Sequence, residues 1–310
     1  MRKRITVVGD LMIDVDHIVK AVDERESRPR IIVQETRKRL GTAGAVAQMV
    51  AALGVDVTLV AVANEADAVT VKRKIQGIAF VVASPGITSR RERFYDPHWN
   101  VAGPRLDFDS AAEISGQDRR MMAGKILATV ADAIIVCDHS QGVVGPELME
   151  AIKTKDCPVF VDPHTRSDFS IFAGVEALVM NREEAEHAGE MDPHPTNIIE
   201  KLDADGLFWY LPGWQMEVVE RGANPNLRQY LPSFARNVVD TLGAGDQFIA
   251  ALTASRVHGD DMAKAIVKAS AAAGIQCERR GVLPVTWPEI DARVREFEYD
   301  GIFRDVLKPN

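Results

Sequence analysis

Short, almost uninterrupted apolar runs, each closed by a polar residue or a glycine, constrain this chain more than any other feature. Ile5-Thr-Val-Val-Gly9, Val57-Thr-Leu-Val-Ala-Val62, Ala133-Ile-Ile-Val-Cys137, Pro158-Val-Phe-Val161 and Ala177-Leu-Val-Met180 are too short for core helices. They also lack the in–out alternation of a half-exposed strand, so they read as strands buried on both faces. From residue 117 onward they alternate with helical stretches, expected at 117–131, 145–153, 182–188 and 195–204. Helix and strand in alternation, with short connections, predict an α/β fold with a mostly parallel sheet between two helix layers.

In such a sheet Asp10, Asp14, Asp138, Asp162 and Asn181, which follow the strands, emerge on one edge. Ligands bind at that carboxyl edge in open α/β sheets. Taken singly, each also fits loop or cap chemistry, because Asp and Asn favour turns and helix starts. Asn181-Arg-Glu-Glu184 shows the same ambiguity. The pair can hold Mg²⁺ through water, or form a helix capping box.

Asn237 to Ala251 is the stretch most suited to chemistry. Gly243, Ala244 and Gly245 stand before a helical pattern of Phe248, Ile249, Leu252 and Val257. Small residues let another molecule approach the backbone, and the unpaired amides of a helix start attract anions. Asp246 falls in the first turn beside them, either complementing the helix dipole or acting on a substrate hydroxyl.

The rest of the chain predicts supporting elements. Gly41-Thr-Ala-Gly44 opens a helix over 45–53, followed by a helix at 65–76 and strands at 78–83 and 207–211. Arg228 to Pro232 reads as extended, and 243–257, 260–276 and 287–297 as helices. Residues 16–40 and 86–108 are polar excursions that together suit a small accessory sheet over the site. No linker divides residues 1–310, which are expected to form one domain. A net charge of −8 argues against broad nucleic-acid binding, and Arg37-Lys-Arg39 and Arg90-Arg-Glu-Arg93 read as solvated faces or small-anion contacts. Three cysteines without metal-ligand spacing suit reduced thiols. No signal peptide and no apolar run of about 20 residues is seen, so a cytoplasmic protein without a membrane partner is expected. Gly9-Asp-Leu-Met-Ile-Asp14 lacks the Gly-x-Gly-x-x-Gly turn of a dinucleotide-dependent oxidoreductase.

In this order the motifs resemble those of the ribokinase-like (PfkB) carbohydrate kinases over nearly the whole chain, above all the bacterial heptose-phosphate kinases. The resemblance is carried by Val7-Val-Gly-Asp-Leu-Met-Ile-Asp14, Arg105-Leu-Asp-Phe108, Val161-Asp-Pro163, Asn181-Arg-Glu-Glu184 and Asp240-Thr-Leu-Gly-Ala-Gly-Asp246. It implies a three-layer ribokinase-like fold with a small accessory β lid. It implies ATP with Mg²⁺, and a sugar or sugar phosphate as acceptor. Asp246 is then the general base, and Gly243, Ala244 and Gly245 form the anion hole. Asn181 and Glu184 organise Mg²⁺ through water, Thr241, Ser270 and Gly281 contact the nucleotide, and Asp240 lies near a monovalent cation such as K⁺. Asp10, Asp14, Gly41, Thr42, Arg105, Asp107 and Asp138 face the substrate, and the lid makes a homodimer contact. The heptose enzymes are often fused to a nucleotidyltransferase domain, and none is expected within these 310 residues.

The departures from the family pattern fall on the substrate and nucleotide sides. Gly41 keeps the first of two adjacent family glycines while Thr42 replaces the second and Ala45 an asparagine, Gln141 and His164 replace lysines, and Ser270 replaces an asparagine near the adenine. The Thr-x-Gly-x-x-Gly strand–turn is expected at Leu207 to Met216, a stretch rich in bulky aromatics. Two expectations stay open: an active kinase with a shifted acceptor, and a kinase-fold binding or regulatory protein without turnover.

Overall fold

The computed structural model describes residues 2–23, 30–83, 88–109, 114–188, 197–210 and 228–299. The chain runs β1 (Arg4–Gly9), β2 (Leu11–Asp23), β3 (Arg30–Thr42), α1 (Ala43–Ala52), β4 (Asp56–Ala63), α2 (Glu65–Lys74) and β5 (Ile78–Ala83). It continues through β6 (Ser89–Tyr95), β7 (Leu106–Phe108), α3 (Gly116–Ala128), β8 (Ala133–Cys137), α4 (Pro146–Lys153) and β9 (Val159–Asp162). Then follow β10 (Ala177–Asn181), α5 (Arg182–His187), β11 (Asn197–Lys201), β12 (Leu207–Tyr210), β13 (Arg228–Leu231), α6 (Ala244–Val257), α7 (Met262–Cys277) and α8 (Trp287–Tyr299).

The apolar runs lie side by side in a sheet of order β13-β12-β11-β10-β9-β8-β1-β4-β5. From β11 to β5 neighbouring strands are parallel, while β12 and β13 pair antiparallel at one edge. Continuous hydrophobicity is explained by burial on both faces. Val7, Leu59, Ile135 and Val179 pack toward one layer with Ile249 of α6 and Ile266 of α7. Val8, Val60, Val136 and Leu178 pack toward the other with Met122 of α3 and Leu148 of α4. Each such side chain contributes about 1.5–3 kcal/mol by leaving water. Among the described residues no helix is long and apolar enough to cross a membrane.

The two excursions meet in a second sheet of order β3-β2-β6-β7. Its register sets Arg39 against Asp14 and Asp14 against Arg91, and in the next like-facing row Arg37 against Asp16 and Asp16 against Arg93. Residues two apart share a strand face, so Asp14 and Asp16 are buried among arginines on one face. Arg93 Nη1 donates to Asp14 Oδ1 at 2.8 Å, and Arg39 pairs with Asp16. Buried carboxylates without such partners would oppose folding. Residues 24–29 and 86–87 of the expected lid lie outside the described residues.

One expected helix is a strand. Residues 197–201, read as part of a helix over 195–204, form β11. Ile198 and Ile199 go to opposite faces of the sheet, and both are buried. Tertiary burial of this β-branched pair overrides the helical propensity of the charged residues around it.

Candidate active site

Parallel register brings the strand ends level: Gly9 aligns with Cys137, and Cys137 with Asp162. The carboxylates beyond them do different work. Asp10 is fully buried and accepts amide protons from His139 (2.7 Å), Gln141 (3.0 Å) and Val143 (3.1 Å). Burial, then the neighbouring Asp138, raises its pKa to about 6. Asp10, expected to face substrate, is thus spent on shaping the 139–143 loop. Asp138 likewise turns inward, accepting the Ser140 amide at 2.8 Å.

The start of α6 is a wall between two clefts. Thr241, Ala244 and Gly245 line a larger one of about 540 Å³. Leu242, Gly243 and Asp246 line a smaller one of about 120 Å³. Gly243 has φ +74°, and a Cβ there would meet Val282 at 3.0 Å, so both backbone and space demand glycine. Asp240 ties this turn down, accepting the amides of Leu242 (3.0 Å) and Gly281 (2.9 Å). Gln247 holds it from behind, accepting the Val285 amide at 3.1 Å. The Ala244 amide donates to Thr241 at 3.2 Å, so it is not free for an anion as expected. The amides of Gly243, Gly245 and Asp246 have no acceptor among the described residues.

Asp246 sits at the mouth of the smaller cleft, partly buried. Burial first, then Asp162 and Asp14, raise its pKa to about 7 against the pull of Lys201 and Arg91. A carboxylate poised near neutrality suits proton abstraction at working pH. Around it stand His139, Asp162 and Lys201. Ligand atoms of His139, Asp162 and Asp246 lie within 4.8 Å of one another, a spacing that admits a cation. Lys201 Nζ, 3.3 Å from Asp162 Oδ1, already brings an ammonium to that point. Burial lowers the His139 pKa, which favours the neutral ring.

The larger cleft has the size of a small-ligand pocket. Asn181, Thr241 and Ser270 line it, and Val238, Phe248 and Ala273 give it an apolar wall. Gly281 is not among its lining residues and instead serves Asp240. Asn181 and Glu184 form a capping box: Glu184 N–H donates to Asn181 Oδ1 at 2.8 Å, and Asn181 N–H to Glu184 Oε2 at 2.7 Å. Burial, then Asp162, raises the Glu184 pKa to about 7. Glu184 Oε1 takes no part in the box, so this hard-oxygen pair still fits Mg²⁺ held through water. Each Asp240 oxygen already accepts an amide, and the monovalent cation expected there would have to share them.

Asp14, Thr42, Arg91, Arg93 and His139 line the smaller cleft together with Asp246. Gly41 gives Asp14 its room, since a Cβ on Gly41 would fall 2.8 Å from Asp14 Oδ2. Thr42 has φ +49° and ψ −125°, a conformation costly for a β-branched residue. Its hydroxyl donates to the Asp10 carbonyl at 2.5 Å, tying strained backbone to the site floor. Arg105 and Asp107 are absent from both clefts. They bind each other through two hydrogen bonds of 2.8 Å on the exposed β7 side of the second sheet.

Arg91, Arg93, His139 and Lys201 were not singled out from sequence as site residues. Arg91 and Arg93, expected to be solvated or to contact small anions, turn into the smaller cleft. Lys201 had a usable signal. Counting back from Gly206, Lys201, Asp203 and Gly206 have the spacing of Thr-x-Gly-x-x-Gly. Asp203 (φ +54°) and Gly206 (φ +98°) turn the chain there from β11 into β12. The expected 207–216 placement is therefore displaced, and 211–216 lie outside the described residues.

Residues 66–289 match the profile described as pfkB family carbohydrate kinase. The chain is 30% identical over 306 residues to the "Bifunctional protein HldE" of Pelobacter propionicus, covering 92% of this chain and 62% of the relative. It is 29% identical over 329 residues to that of a Bradyrhizobium species, covering 99% and 66%. The chain thus spans somewhat under two thirds of the length of these relatives. In fold it is similar to Arabidopsis thaliana ribokinase complexed with ribose and ATP, with TM-score 0.71, 16% identity and coverage of 95% and 99%. Phosphofructokinase-2 from Escherichia coli in complex with potassium gives TM-score 0.76, 14% identity and coverage of 96% and 100%.

Proposed function

Because this chain belongs to the pfkB family of carbohydrate kinases, phosphotransferases with an alcohol group as acceptor, we propose that it transfers the γ-phosphoryl group of ATP to a hydroxyl of a sugar or sugar phosphate of the heptose-phosphate kind. The observation that carries this reading is the wall between the clefts: successive residues of one helix start face the larger cleft and the smaller one in turn. ATP lies in the larger cleft and the acceptor in the smaller. Asp246 takes the proton of the attacking hydroxyl, a role typically worth 10²–10⁴-fold. The free amides of Gly243 and Gly245 receive the transferring phosphoryl, each such donor contributing on the order of 3 kcal/mol. Asn181 and Glu184 hold Mg²⁺ through water, and the ion neutralises phosphate charge when bound. Asp14, Thr42, Arg91 and Arg93 orient the acceptor. A homodimer formed through the second sheet and a cytoplasmic setting belong to the same reading.

The test is ADP release across a panel of sugars, sugar phosphates and nucleosides, with wild type and Asp246→Asn side by side. Acceptor-dependent release that falls by about 10² or more in the variant is expected. Release that survives unchanged in the variant removes Asp246 from the reaction. Thermal stabilisation by nucleotide without ADP formed on any acceptor supports the alternative, a binding or regulatory protein on the kinase fold.

A further inference from the structure

Lys201 ends β11, and its Nζ lies 3.3 Å from Asp162 Oδ1 and 3.2 Å from where a Cβ on Gly245 would stand. It lines the larger cleft, at the same helix start whose Asp246 lines the smaller. An ammonium therefore stands at the junction that a phosphoryl group must cross in passing from one cleft to the other. Burial by itself would favour loss of its proton, but Asp162, Glu184 and Asp246 outweigh this and hold its pKa above the ordinary lysine value. Three carboxylates around one ammonium leave the junction short of positive charge, and a nucleoside triphosphate adds further negative charge. Arg91 and Arg93 line the acceptor cleft instead, and Arg93 is committed to Asp14.

We propose that Lys201 is the phosphate-binding cation of this site, holding the terminal phosphate of a nucleoside triphosphate against the free amides of Gly243 and Gly245. This rests on the kinase reading and adds a catalytic residue to it. In the reaction the acceptor oxygen bonds to the terminal phosphorus while its proton passes to Asp246. The bond from that phosphorus to the bridging oxygen breaks, and the nucleoside diphosphate leaves. Lys201 keeps its protons throughout and offsets the charge on the phosphoryl oxygens, as an ammonium on phosphate does in other phosphoryl-transfer sites. When the phosphate is absent, Asp162 serves as its resting partner.

The experiment is calorimetric titration of wild type, Lys201→Met and Lys201→Arg with Mg²⁺-ADP and with a Mg²⁺-bound non-hydrolysable ATP analogue. Wild type is expected to prefer the triphosphate analogue. Lys201→Met should lose about 10-fold or more in affinity for it, the size of one charge-assisted hydrogen bond. ADP affinity should change far less, and Lys201→Arg should recover part of the preference. If Lys201→Met does not fold, Lys201→Met with Asp162→Asn removes both charges and is read in the same way. Equal losses for ADP and the analogue, unchanged binding of both, or no triphosphate preference in wild type overturns the assignment of Lys201 alone. Wild type that binds neither nucleotide overturns the kinase reading, and this proposal with it.

Discussion

Asp246→Asn is expected to stabilise the protein while abolishing its turnover. Asp246 has its pKa raised from 3.8 to about 7, chiefly by burial and then by Asp162 and Asp14, after Lys201 and Arg91 have pulled it down. A folded-state pKa above the unfolded one means the folded chain keeps a proton the unfolded chain has released. Ionisation of Asp246 therefore costs stability progressively from pH 3.8 to about 7, and fully above that. The rise corresponds to roughly 4 kcal/mol at about 1.4 kcal/mol per tenfold. Asp246 keeps a solvent-facing edge, which reduces this to about 2 kcal/mol. For a chain of 310 residues that is a gain of roughly 3 °C in melting temperature, at about 2.1 cal/mol/K of unfolding entropy per residue. Scanning calorimetry of both proteins at pH 5 and pH 8.5 reads it directly. The gain should be somewhat over a third of its full size at the lower pH and full at the higher. A variant that melts at or below wild type at pH 8.5, or a gain that ignores pH, refutes the electrostatic account of this site.

The same titration governs rate: kcat/KM should fall about tenfold per pH unit below roughly pH 7, as Asp246 takes up its proton. A pH-rate profile flat from 5 to 8 contradicts this. Asp10→Ala leaves three amides of the 139–143 loop without their acceptor, and should cost about 3–5 kcal/mol in urea denaturation. A loss under about 1 kcal/mol would mean that water replaces the carboxylate there. Thr42→Gly relieves a backbone conformation that costs roughly 1–3 kcal/mol but gives up one hydrogen bond to Asp10. Its net effect on stability should run from neutral to about 1 kcal/mol stabilising, and a loss beyond about 1 kcal/mol in the same assay shows that the hydroxyl outweighs the strain.

The parallel sheet was readable because a strand buried on both faces must be apolar throughout, as in Ala133 to Cys137. The helix start at 243–246 was readable because small residues followed by a carboxylate serve few other purposes. Four features were not. Asn197 to Lys201 carries charges compatible with a helix, and its strand state depends on β10 and β12 arriving on either side. Arg91 and Arg93 sit in a run of mixed charges whose alternation leaves open which face turns to the site, and β2 settles it through register. Asp10 looks like a ligand-facing strand end, yet its amide partners begin 129 positions away, at His139. Arg105 and Asp107 match a family motif, but in this chain they satisfy each other. Local pattern thus located the edge of the sheet where chemistry can occur. Which side chains reach it was decided by long-range register.

Phosphorus NMR of a single reaction mixture tests the central claim most directly. Wild type, Mg²⁺-ATP and a sugar-phosphate acceptor should yield ADP signals together with a new phosphomonoester signal of equal intensity, and Asp246→Asn should yield neither on the same timescale. ADP and a phosphomonoester formed equally well by the variant, or ATP left intact by wild type with every acceptor in the panel, contradicts it.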